Sequence, residues 1–125
     1  MSDFRVTVSA GTLRGEGTAM PHAWTDEGVA VEADFTGAHL LHLAVAGCVL
    51  NDTYREAREL GIVVRGVRVV AAGGFDTDAW TSTGIGYDVE VDGPSAAERD
   101  RLLARVDAVA EIPRAIRAGG EVRRR

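Results

Sequence analysis

TGAHLLHLAVAGCVLNDTYREARELG, from Thr36 to Gly61, is the stretch that decides the fold. Thr36 can cap a helix, its hydroxyl accepting a free backbone N–H. Gly61, after Leu60, suits the left-handed position that ends helices. No proline interrupts the run, so the spacing predicts one helix of 24 residues between the caps, roughly 36 Å long. Its halves differ. From Leu40 to Leu50 nearly every residue is apolar on all faces, the pattern of a helix buried all round. From Asn51 to Glu59 it is polar, with Thr53, Tyr54, Ala57 and Leu60 keeping an inward stripe. The apolar run is shorter than the about 20 residues a bilayer span needs. A chain of 125 residues has trouble enclosing such a helix alone, so a second subunit is expected to cover part of it.

That length fits a single domain, 1–125, with a real core. The net charge of −5 argues against a nucleic-acid surface, and Arg123-Arg124-Arg125 reads as a solvated end. One cysteine, Cys48, excludes an intrachain disulfide and any multi-cysteine metal site. The opening residues, MSDFRVTVSAG, show no apolar leader, so a cytoplasmic location with Cys48 reduced is expected.

Outward from the helix, the chain alternates. Val29, Val31, Ala33 and Phe35 lead into it as a strand, and Phe4, Val6 and Val8 read as a half-buried one. Leu13 to Met20 reads as a loosely specified strand, and Pro21 to Gly28 as a loop carrying His22 and Trp24. After the helix, the valine-rich Ile62 to Ala72 reads as a strand with both faces partly covered. Gly73 to Gly84, with Trp80, connects it to the alternating strand Ile85 to Asp92. Ser95 and Glu98 form a capping box for a second helix running to about Glu111. Pro113 stops or restarts it, and Glu121 to Arg123 are a candidate last strand. Strands, helix, strands, helix make an α+β domain.

Cys48 is the candidate chemical centre. A reactive cysteine must be a thiolate, and an apolar setting raises the thiol pKa. Its helical neighbours are Ala44, Val45, Asn51 and Asp52, none of them cationic, and Asp52 disfavours the thiolate. Cys48 therefore reads either as a reactive thiol served by an arginine from elsewhere or as a small buried apolar residue. Leu41, Ala44, Val45, Asn51 and Asp52 are candidates to line a pocket beside it, although residues such as Asp52 and Arg55 are more often simply exposed. His39 and His42 lie one turn apart, but two histidines make half a zinc site. They read as polar residues near the helix start, and no metal or cofactor is expected. Trp24 and Trp80 could wall an apolar ligand site or simply pack. Asn51-Asp52-Thr53 matches a glycosylation sequon but falls inside the helix.

Leu40-Leu41-His42-Leu43-Ala44-Val45-Ala46-Gly47-Cys48, the helix end Glu59-Leu60-Gly61-Ile62 and the strand Val63-Val64-Arg65-Gly66-Val67 resemble the OsmC/Ohr family, the osmotically induced protein C and organic hydroperoxide resistance proteins. The resemblance extends over nearly the whole chain. It implies an antiparallel sheet with a long buried central helix and a second helix, in an intertwined homodimer with sites at the interface. It also implies reduction of organic hydroperoxides by a reactive cysteine, a resolving cysteine, an N-terminal arginine and often a glutamate. Cys48 matches the first. Ile112-Pro113 stands where a Cys-Pro pair would be, Ala38 stands near the glutamate position, and Arg14 is the candidate arginine. The resemblance thus implies a one-cysteine reductase using Cys48 and Arg14, with an external thiol reducing the sulfenic acid. The alternative is a non-catalytic protein of the same fold that binds a small apolar ligand at the dimer interface. Neither reading involves nucleic acid or membrane.

Overall fold

The computed structural model describes residues 3–125; Met1 and Ser2 lie outside them. Five strands form one antiparallel sheet in the order β2-β3-β1-β4-β5. They are β1 (Val6–Gly11), β2 (Thr18–His22), β3 (Thr25–Glu32), β4 (Gly66–Phe75) and β5 (Ser82–Asp92). The helices are α1 (Gly37–Leu60), α2 (Ala96–Val109) and α3 (Glu111–Ala118).

α1 begins and ends where its caps dictate. Thr36 accepts the His39 backbone N–H at 3.1 Å, and Gly61 takes a left-handed φ of 69°. The helix lies across β1 and β4. Ala46, Val49, Leu50 and Ala57 pack against Val6, Val8, Ala10, Val67, Val69 and Ala71 to form the core. α2 and α3 flank α1, closing the core with Leu102, Val106 and Ala110. The Ser95–Glu98 capping box starts α2, and Tyr87 on β5 donates to Asp107 on α2 at 2.5 Å.

As expected of so small a chain, α1 is not enclosed on all sides within one chain, since Leu40 is 38% exposed and Ala44 is also exposed. Several other sequence expectations need correction. β1 is buried on both faces rather than half-buried, because the loop after it folds back, the Gly15 N–H donating to Ser9 Oγ at 2.8 Å. The second strand starts at Thr18, not Leu13, and the expected loop from Pro21 to Gly28 is the hairpin joining β2 to β3. The third strand ends at Glu32, before Phe35. β4 starts at Gly66, after an irregular lead-in from Ile62, and β5 starts three residues before Ile85. α2 stops at Val109, and Ala110, with an extended ψ of 113°, separates it from α3. No strand forms over residues 121–123.

Candidate functional site

Cys48 lies midway along α1 and is 9% exposed. One helical turn later Asp52 sits fully buried, its Oδ2 3.8 Å from the sulfur. The reading of Asp52 as an exposed residue is therefore overturned. A buried carboxylate needs a partner, and Arg55, three residues on, supplies it: its guanidinium meets Asp52 Oδ2 at 3.1 Å. The same guanidinium lies 3.9 Å from Glu111 on α3 and 3.1 Å from Glu56, itself bonded to Arg105 at 3.0 Å. α3 thus brings a second carboxylate to the cysteine. The donor atoms of Cys48, Asp52 and Glu111 all lie within 4.8 Å of one another. Such a trio could hold a divalent cation, but Arg55 already places a positive charge beside both carboxylates.

These surroundings set the thiol. Burial, chiefly, pushes the Cys48 pKa from 9.0 up to about 11, with Asp52 and Glu111 adding to the rise. One influence opposes them: the Ile112 backbone N–H lowers the pKa. α3 has no side-chain cap at Ala110, so its first N–H groups are free to act on the thiol. Ile112 thus contributes a backbone donor at the place where the resemblance implies a second cysteine. Burial also raises the Asp52 carboxyl, against the pull of Asn51 and Arg55.

A cavity of about 210 Å³ opens between α1, β5 and α3, one helical turn from the cysteine. Val45, one turn before Cys48, and Pro113, next to Ile112, line it with Ile85, Tyr87, Ile116 and Arg117. Burial and the bond to Asp107 push the Tyr87 phenol up to about 12. On the other side of α1, an apolar groove of about 340 Å³ runs under the β2–β3 hairpin, lined by Met20, Val31, Leu40, Leu43, Ala44 and Gly47.

The residues proposed from sequence do not all meet. Val45 faces the cavity, Ala44 faces the groove, and Leu41 is half-buried. Asn51 bridges the two sides, bonding His22 at 3.1 Å and Asp52 at 3.2 Å. Arg14 lies in the loop tied to Ser9, which alternates with the helix-facing Val8 and Ala10 and so belongs to the sheet face opposite α1. Within one chain the structure does not bring it to Cys48. Its Nε is buried without a hydrogen-bond partner. His39 and His42 diverge. His39 bonds Thr36, whereas His42 is fully buried, its Nδ1 2.7 Å from the Ala38 carbonyl and its ring near Phe4 and Phe75. Trp24 packs over Arg58, while Trp80 is 72% exposed.

Arg55, Glu56, Arg105, Glu111 and the Ile112 N–H were missed from sequence. The Asp52–Arg55 spacing is a helical ion-pair spacing and was readable. Glu111 reaches the site only through the packing of α3.

No protein-family model matches the chain, and no curated protein matches its sequence. Among solved structures it is similar to an OsmC-like hydroperoxide resistance protein from Jannaschia sp. CCS1. The two share 14% identity and a TM-score of 0.54, over 96% of this chain and 91% of that one. The likeness shows the fold: an α+β chain of the OsmC type, with Cys48 on its long central helix.

Proposed function

We propose that this chain is a thiol-dependent reductase of small organic hydroperoxides, working as a homodimer with the single cysteine Cys48. The observation that carries this reading is the setting of Cys48. Its sulfur lies mid-helix with a proton acceptor at 3.8 Å, the Ile112 backbone N–H lowers its pKa, and Val45, one turn before it, lines a cavity. The OsmC-type fold and the hydroperoxide resistance protein that shares it agree with this.

In the first step the thiolate attacks the distal peroxide oxygen. The S–O bond forms, the O–O bond breaks, and the alkoxide leaves as an alcohol after taking a proton. Cys48 becomes a sulfenic acid, oxidised by two electrons. Among the described residues there is no second cysteine. An external thiol therefore attacks the sulfenic sulfur, releasing water and leaving a mixed disulfide. A second thiol restores Cys48 and departs as the oxidised disulfide. Arg14 would take part only if the partner subunit's copy reaches this site.

Hydroperoxide consumption in the presence of a small dithiol tests the proposal. Cys48→Ser is expected to abolish turnover, and undiminished turnover would refute it.

A second reading rests on the 340 Å³ apolar groove and on a thiol held protonated up to about 11. In that reading the protein binds a small apolar ligand without chemistry. Such a ligand would raise the melting temperature of the native protein and of Cys48→Ser equally.

A further inference from the structure

We infer that Asp52 is the proton acceptor for the Cys48 thiol, and that Arg55, not Arg14, is the positioning residue that holds it for this task. The inference rests on the proposed thiol chemistry and adds how the thiol is deprotonated. A nucleophile that is weak at its own pKa is activated by an adjacent base, itself oriented by a third group. That arrangement is present. Asp52 Oδ2 lies 3.8 Å from the sulfur and 3.1 Å from the Arg55 guanidinium, with all three groups one or two turns apart on a single rigid helix. Asp52 is fully buried, so its oxygens are not dispersed among waters, whereas the Glu111 side chain is 62% exposed and sits farther from Arg55, at 3.9 Å.

The apparent conflict between Asp52 and a thiolate then disappears. Asp52 repels the thiolate only while it is itself ionised. When the proton passes from sulfur to Asp52, one negative charge remains in the site, now on sulfur, which the Ile112 backbone N–H favours. After attack on the peroxide, Asp52 returns that proton to the leaving alkoxide, and the sulfenic acid keeps the proton of the peroxide hydroxyl. Asp52 ends as it began.

The groups facing Cys48 are Asp52 and Arg55 on α1, Glu111 and the Ile112 N–H on α3, and Tyr87 on β5, with Asp107 and Arg117 behind Tyr87. Of these, internal transfer predicts a signature for Asp52 alone. The ion pair of thiolate and neutral Asp52 carries the same net charge as thiol and carboxylate. Its population is therefore constant between the two pKa values.

The experiment is the rate of Cys48 alkylation by iodoacetamide across pH in the native full chain. The native protein is expected to show two steps. The lower, above the ordinary aspartate value of 3.8, leads to a plateau; the upper lies near 11. Asp52→Asn is expected to lose the lower step and leave a single rise. Arg55→Gln is expected to move the lower step to higher pH, with Arg55→Lys partly restoring it. Arg14→Gln and Glu111→Gln are expected to keep both steps. A single step in the native protein, or loss of the lower step in Glu111→Gln or Arg14→Gln, would overturn the inference. The alkylation profile needs no peroxide, so a native protein that shows both steps but reduces no hydroperoxide would sink the proposed function and leave this inference standing. Where turnover is present, Asp52→Asn is expected to lower it about 100-fold.

Discussion

At the scale of single residues, the site is governed by what burial does to a thiol. Cys48 holds its proton more tightly when folded, to about 11, than at its ordinary value of 9.0. A group whose pKa is raised by folding gives its full stabilisation below the unfolded value and loses it as pH rises through the folded one. The folded state should therefore weaken between pH 9.0 and about 11, by up to about 3 kcal/mol. Urea denaturation at about pH 8 and about pH 10.5 measures this. Cys48→Ala is expected to lose less stability over that change than the native chain, with Tyr87, also raised, accounting for part of the remainder. An equal loss in both proteins would mean the thiol is not the group responsible. The position of Cys48 and the turn from Cys48 to Asp52 were legible in the sequence. The burial of Asp52 was not, because a carboxylate is normally solvated unless a partner is at hand. Arg55 is that partner, and Asp52–Arg55–Glu111 becomes a cluster only once α3 docks.

At the scale of elements, α1 was read with both ends correct, because its stop and start signals are local. Gly61 sits at φ 69° with open space where a side chain would stand, so the penalty of Gly61→Ala is conformational alone. The substitution is expected to cost about 1 kcal/mol, read as a shift in denaturation midpoint without loss of alkylation reactivity at Cys48; an unchanged midpoint would contradict that account of the helix end. The β2–β3 hairpin was misread for an equally physical reason. Pro21 and Gly28 are turn residues by local rule, but β2 is an edge strand, and Pro21 falls at the irregularity between Met20 and His22, where no ladder bond is lost. β1 was misjudged because its outer residues Thr7 and Ser9 are polar, yet both are buried, and the loop carrying Arg14 folds back to bond Ser9. That same fold-back places Arg14 on the face opposite the cysteine helix, so the placement of the arginine could not be read without the sheet.

At the scale of the whole molecule, one chain leaves apolar surface uncovered. Leu40 is 38% and Met20 51% exposed, and both border the 340 Å³ groove along α1. No helix among the described residues is long and apolar enough to cross a membrane. A second copy laid along α1 would bury it, as the apolar run Leu40–Leu50 led us to expect. Analytical ultracentrifugation is expected to give a dimer for the native chain and a monomer for Leu40→Glu; a native monomer would remove the interface from the account. Whether Cys48 is a working thiol and not merely core is decided by mass spectrometry of the Cys48 peptide. The protein would be treated with one equivalent of an organic hydroperoxide in the presence of a sulfenic-acid trap. A working thiol is expected to give the trapped adduct on Cys48 in the native protein, weakened in Asp52→Asn. A Cys48 peptide recovered as free thiol, with the hydroperoxide unconsumed, would contradict it.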